Sequence, residues 1–161
     1  MKTVTGAAYR PGVGLMLFDP RGRVFVGRRN DAKDAWQMPQ GGIDAGEEPR
    51  VAAMRELAEE TGVMRAEIVA ETAEWLAYDL PAELRAKVWK GQYKGQRQKW
   101  FALRHLGVDA DIDLDAHHAE FESWRWAALD ELETLIVPFK RELYRAVGAE
   151  LGPAIRAAVA R

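Results

Sequence analysis

Gly41-Gly42-Ile43-Asp44-Ala45-Gly46-Glu47-Glu48-Pro49-Arg50-Val51-Ala52-Ala53-Met54-Arg55-Glu56-Leu57-Ala58-Glu59-Glu60-Thr61-Gly62-Val63 is the stretch on which the reading of this chain turns. Pro49 suits a first helical turn, where its missing N–H costs nothing, and Gly62 suits a helix stop. The spacing therefore predicts a helix over Pro49–Thr61. At about 100° per residue, Val51, Met54, Leu57 and Ala58 share an arc of about 120° that can pack on a sheet. Glu56, Glu59 and Glu60 fall on the other side of that wheel. Carboxylates at i, i+3 and i+4 repel one another, so the cluster calls for a compensating partner. Hard divalent cations prefer oxygen donors, and Mg²⁺ is commonly held by one or two carboxylates together with substrate phosphates.

Outward from the helix, the chain reads as an ordinary globular domain. Its 161 residues suffice for one core, with 48% hydrophobic and 30% charged residues. With no cysteine, disulfides, thiolate metal sites and cysteine nucleophiles are excluded. No apolar run approaches the roughly 18 residues of a membrane span. Met1–Thr5 lacks the apolar region of a secretion signal, so the cytoplasm is the expected compartment. The net charge of −2 hides a segregated pattern. No Asp or Glu occurs from Leu84 to Val108, whereas Arg85, Lys87, Lys90, Lys94, Arg97, Lys99 and Arg104 do, and an acidic stretch from Asp109 to Glu122 follows. Such a run is either a solvated face or a surface turned toward phosphate.

Val13–Phe18, the turn Asp19-Pro20-Arg21-Gly22 and Val24–Val26 read as a β-hairpin. Trp36–Gly42 reads as a short strand entering a glycine-bearing loop, and Ile68–Tyr78, Gln98–Leu106 and Ser123–Ala127 as further strands. Leu129–Leu135 reads as a short helix. Pro138 opens a longer one in which Phe139, Leu143, Ala146 and Val147 share a face. The segment after Gly148, residues 148–161, reads as a helical tail. Strands and helices alternate without a regular βαβ beat, so the expected class is α/β (α+β): a mixed sheet sandwiched between helices, in one domain over residues 1–161.

The spacing Gly41, five residues, Glu47, seven residues, then Arg55-Glu56-Leu57-Ala58-Glu59-Glu60-Thr61-Gly62-Val63 resembles the Nudix box at every fixed position. The resemblance implies the Nudix fold and hydrolysis of a phosphoric anhydride in a nucleoside diphosphate linked to a second group. It implies Mg²⁺, for which Mn²⁺ can substitute, as two or more ions on Glu56, Glu59 and Glu60 beside Gly41. Arg55 and Glu47 would form an ion pair that orients the helix. Beyond the box, Tyr9–Gly14, Trp36–Gly42, Trp89–Gln92, Gly95–Phe101, Glu120–Trp126 and Pro138–Arg141 resemble the bacterial RNA pyrophosphohydrolases and the asymmetric dinucleoside tetraphosphate hydrolases. By that resemblance Glu120 would complete the metal ligands. Phe139 would stack on a base or anchor its helix in the core. Tyr78 would line the substrate, and Arg10, Arg29, Lys99 and Lys140 would lie near the polyphosphate or RNA backbone. Glu56, or second Glu120, would take the proton from the attacking water.

The implied substrate is a nucleotide or a 5′-triphosphorylated RNA, with neither membrane nor DNA as partner. The alternative is a diadenosine tetraphosphate split to ATP and AMP, and below it a pool-cleaning nucleoside triphosphate pyrophosphatase. Asn30-Asp31-Ala32-Lys33-Asp34-Ala35 is more acidic than an RNA-facing loop of this family and lacks its Ser or His, which weighs toward the dinucleotide.

Overall fold

A computed structural model describes residues 8–31, 35–117 and 120–160. Met1–Thr5 and part of the 30–35 loop lie outside the described residues. The chain runs β1 (Tyr9–Phe18), β2 (Val24–Arg29), β3 (Trp36–Gln37), β4 (Gln40–Gly42), α1 (Pro49–Thr61), β5 (Ala66–Glu71) and β6 (Leu76–Asp79). It continues with α2 (Ala82–Arg85), β7 (Gly95–His105), β8 (Phe121–Ala127), α3 (Leu132–Leu135) and α4 (Arg141–Val159). All eight strands join one mixed sheet with the path β3-β2-β1-β7-β5, in which β4 pairs with β1, β6 with β7 and β8 with β2.

β1 is the spine. It runs parallel to β7 from Tyr9↔Gly95 to Phe18↔Arg104 and takes β4 antiparallel across Gly12↔Gly42 and Gly14↔Gln40. Because both faces of β1 are covered, its apolar residues run nearly without interruption. Val13, Leu15 and Leu17 pack toward α1 with Ala53, Leu57, Phe101 and Phe121. Met16 and Phe18 pack on the other face with Trp100, Leu143, Tyr144, Val147 and Leu151. Helices on both faces of a mixed sheet give the expected sandwich. Among the described residues, no helix is long and apolar enough to cross a membrane.

The expected hairpin forms, with the buried Asp19 accepting from the N–H groups of Arg21 (3.0 Å) and Arg23 (2.8 Å) to close its turn. Three expectations are corrected. The single strand over Ile68–Tyr78 is two strands, β5 and β6, which pair with different ends of β7. Between them the chain turns at Thr72, whose N–H donates to the carbonyl of Trp100 at 2.9 Å and whose hydroxyl accepts from Trp100 N–H at 3.1 Å. The helix opened by Pro138 starts as a 3₁₀ turn over Pro138–Lys140. It continues unbroken as α4 through Pro153 to Val159, so residues 148–159 extend that helix and form no separate tail.

The third correction concerns the wheel. Val51 is 58% exposed, while Ala52, Ala53, Glu56, Leu57, Glu60 and Thr61 are buried. Small alanines bring α1 close to the sheet, and the helix is rotated so that two of its glutamates face inward.

Candidate active site

Helix α1 is placed by its two ends. At its start Pro49 occupies the first turn, and at its finish Gly62 takes φ 77°, donating its N–H to the carbonyl of Ala58 at 2.9 Å. Arg55 fixes the helix to the preceding loop. Its Nε and Nη2 donate to the two oxygens of Glu47, each at 2.8 Å, and Nη2 also donates to the carbonyl of Gly42 at 2.9 Å. Its Nη1 reaches Glu56 at 2.8 Å and Glu59 at 3.2 Å. A planar fork can make all these contacts at once, which an ammonium cannot. The Arg55 guanidinium holds Glu47 down at about 2.

Gly41 allows the loop and the helix to meet. A Cβ there would lie 1.9 Å from Oε2 of Glu56. Glu56 is 8% exposed and Glu60 9% exposed, and burial raises both carboxyls. For Glu60, repulsion from Glu120, Glu56 and Glu59 adds to burial and pushes it up to about 8. Four carboxylates that repel across a half-enclosed space form an all-oxygen donor set in need of positive charge, which fits a divalent cation such as Mg²⁺ or Mn²⁺. Among the described residues no three acidic side chains close on one point, and Arg55 donates to both Glu56 and Glu59.

These carboxylates line a cavity of about 560 Å³ together with Gly41, Gly42, Arg10, Arg29, Tyr78, Phe139 and Lys140. The structure thus brings the expected site residues to this space with two exceptions: Arg55, which touches Glu56 and Glu59 without lining the cavity, and Lys99. Lys99 is not in the lining. Its ammonium donates to the carbonyl of Thr72 and lies 3.5 Å from Glu71. Side chains alternate along a strand. Lys99 therefore points away from the face of β7 that carries Gln96 and Gln98, which hydrogen-bond to Tyr78 and Gln40.

Lys140 is 4% exposed. Its Nζ lies 3.4 Å from Oε1 of Gln40 and 4.9 Å from the centre of the Tyr78 ring. Burial, with Arg29 adding to it, lowers Lys140 to about 7. The ring of Phe139 borders the cavity 6.0 Å from that of Tyr78, and it also packs against the α4-side core. Arg29 is held by Asp31, with Nε to Oδ1 at 2.8 Å. The acidic loop thus places a carboxylate on one of the cavity's own cations.

Sequence reasoning missed the glutamine network behind Tyr78. Gln98 donates to Gln96 and Gln40 (3.1 Å each) and accepts from Trp100 Nε1 (2.9 Å), all largely buried. Its signal was two amides at i and i+2, on the strand face that continues with Trp100. Asp31, Gln37, Leu84, Val88 and Trp89 also line the cavity. Of these, Gln37 and Trp89 stood in noted motifs and Asp31 in the acidic loop, whereas Leu84 and Val88 did not.

A NUDIX domain model matches residues 8–147. An RNA pyrophosphohydrolase of Rhodospirillum rubrum is 58% identical over 149 residues, covering 92% of this chain and 90% of the relative. One of Novosphingobium aromaticivorans is 61% identical over 147 residues, covering 88% and 91%. Among solved structures, the E. coli dihydroneopterin triphosphate pyrophosphohydrolase superposes with a TM-score of 0.67 at 19% identity, over 89% of this chain and 99% of its own. A C. elegans Ap4A hydrolase binary complex does so with 0.65 at 22%, over 89% and 98%. At these identities the two structures speak to the fold alone.

Proposed function

The chain belongs to the Nudix hydrolase family and is a pyrophosphohydrolase, and on that footing we propose that it removes pyrophosphate from the 5′-triphosphate end of RNA. The observation that carries this reading is the composition of one cavity. Glu56, Glu59, Glu60 and Glu120 line it together with the cations Arg10, Arg29 and Lys140 and the ring of Phe139. An anhydride and an attached base can both be accommodated there. Support for RNA as the substrate comes from the names of relatives that match about nine-tenths of the chain. We also read residues 1–161 as one domain acting in the cytoplasm.

Members of the family generally depend on divalent metal; we assign it here to Glu56, Glu59, Glu60 and Glu120, as two or more Mg²⁺ ions. Bound there, the ions would neutralise phosphate oxygens and acidify the attacking water. The protein's own residues do the rest. Arg55 sets the positions of Glu56 and Glu59 through Nη1. Glu56, made more basic by burial, accepts the proton of the water that attacks the anhydride, with Glu120 second in line. Arg10, Arg29 and Lys140 face the charge spread over the equatorial oxygens. Phe139 offers its face to the base.

The second reading, diadenosine tetraphosphate hydrolysis, is favoured by the Arg29–Asp31 pair, which lowers the positive charge offered to an RNA backbone. Steady-state rates with Mg²⁺ on 5′-triphosphorylated RNA, diadenosine tetraphosphate and ATP decide between them. RNA should show the higher kcat/KM by at least tenfold. ATP plus AMP from the dinucleotide, with RNA untouched, would overturn the proposal.

A further inference from the structure

Trp89 and Lys90 sit in the left-handed region at φ 49° and 58°, the only non-glycine residues with positive φ among those described. A bulky side chain is strained there, and such strain persists where the surroundings enforce it, commonly at ligand sites. The turn is enforced by Gly91 N–H donating to the carbonyl of Val88 (2.9 Å) and Gln92 N–H to that of Trp89 (3.1 Å). The Tyr93 ring stands edge-on to the indole at 6.1 Å. The result is a direction: the Trp89 ring is delivered to the cavity lining, while Lys90 beside it is exposed.

The Arg10 guanidinium lies 5.2 Å from the centre of the Trp89 ring. The same guanidinium lies against Gly42, where a Cβ would come within 2.2 Å of Nη2. One side chain therefore joins the loop beside the carboxylates to the indole. Close to the ring in sequence, Arg85, Lys87 and Lys90 are exposed, and Glu83 is the nearest acid in sequence.

None of the roles assigned above uses this ring. We propose that Trp89 is a stacking platform for an unpaired base of single-stranded RNA, and that Arg85, Lys87 and Lys90 follow the backbone away from the cavity. The inference rests on the RNA reading of the site. Single strands are held by aromatic faces that accept any base and by cations that track the phosphates. Arg10 covers one face of the indole and, turning to phosphates beside Gly42, yields that face to the base. Filling the phosphate end thus prepares the platform.

The test is fluorescence anisotropy with a 5′-monophosphorylated, 3′-fluorescein pentanucleotide in Mg²⁺, with AMP affinity measured in parallel. Trp89→Ala should weaken RNA binding at least about fivefold, Trp89→Phe should restore it to within twofold, and neither should move AMP affinity by more than twofold. An unchanged RNA affinity in Trp89→Ala, equal losses for RNA and AMP, or a Phe variant no better than Ala would each overturn the platform. Turnover of 5′-triphosphorylated RNA by the wild type reports separately on the substrate. An enzyme that binds the pentanucleotide through Trp89 yet releases no pyrophosphate would sink the substrate reading and not the platform.

Discussion

Arg55 and Glu47 are joined by two parallel contacts, Nε to Oε2 and Nη2 to Oε1, both 2.8 Å, while the third nitrogen of the same guanidinium extends to Glu56 and Glu59. The loop and the carboxylates are thereby set by one rigid plane. Arg55→Lys keeps the charge and loses the fork. Its kcat on any accepted substrate should fall by roughly ten- to a hundredfold, while Tm shifts by only a few degrees. Steady-state kinetics beside a thermal melt checks both, and an unimpaired kcat would remove Arg55 from the positioning role.

Glu56→Gln and Glu59→Gln should each lower kcat at least about a hundredfold with the fold intact, since each removes a carboxylate and leaves an isosteric amide. Wild-type turnover by either purified variant, with an unchanged circular dichroism spectrum, would refute the assignment.

Glu60 makes the fold sensitive to pH. Its carboxyl rises from an ordinary 4.5 to about 8 in the folded chain. Between these values the folded chain binds more protons than the unfolded one, so this group's contribution to stability falls as pH climbs from 4.5 to 8. In chelator, Glu60→Gln should melt higher than the wild type at pH 8 by a few degrees and match it near pH 4.5. Mg²⁺ should raise the wild-type Tm more at pH 8 than at pH 5. A wild-type minus variant difference that does not change with pH would contradict this account.

Lys140 has the opposite sign. Its folded value of about 7 lies below the ordinary 10.5, so between the two the folded chain binds fewer protons and gains stability as pH rises. Its charge, and hence its hold on phosphate, is fully present only below about 7. KM for the preferred substrate should rise severalfold from pH 6 to pH 8 in the wild type. In Lys140→Met that rise should shrink, with KM at pH 6 already about tenfold higher. Parallel pH profiles of the two enzymes would count against the assignment.

Gly41→Ala places a methyl group where Oε2 of Glu56 now lies, 1.9 Å from the added carbon. The carboxylate must move, so kcat should drop more than about tenfold while the melting temperature, set mainly by the two cores, stays within a few degrees. An active Gly41→Ala enzyme would show that Glu56 works from another position.

Much of the architecture was legible because its signals are local. Pro49 and Gly62 bracket α1 at the residues observed, and Asp19 to Gly22 mark the first turn. What escaped depends on partners far away in the chain. Nothing between Ile68 and Tyr78 announces the break at Thr72, because its hydrogen bonds go to Trp100. Val51 looks like a core residue on a wheel, yet the sheet packs against Ala52, Ala53 and Leu57, since the glutamates need the inner side. The box named the carboxylates. The side away from them, Tyr78 with Gln96 and Gln98 behind it and Trp89 beside it, depends on how β6 registers with β7 and on one strained turn, and neither is announced by a local motif.

The parallel pairing of β1 with β7 has a temporal consequence. Tyr9 meets Gly95, and Phe18 meets Arg104, only after all of the polypeptide between them has been made. Closing so large a loop is entropically slow. Helix α1 can coil early with its glutamates in place, but the glutamine-backed wall against which a substrate would be held does not exist until β7 docks. Phe139 and Lys140, which also line the cavity, come later still in the chain. A ribosome-bound fragment ending before β7 would therefore carry the recognisable motif without hydrolytic competence, and activity would arrive only once β7, Phe139 and Lys140 have taken their places.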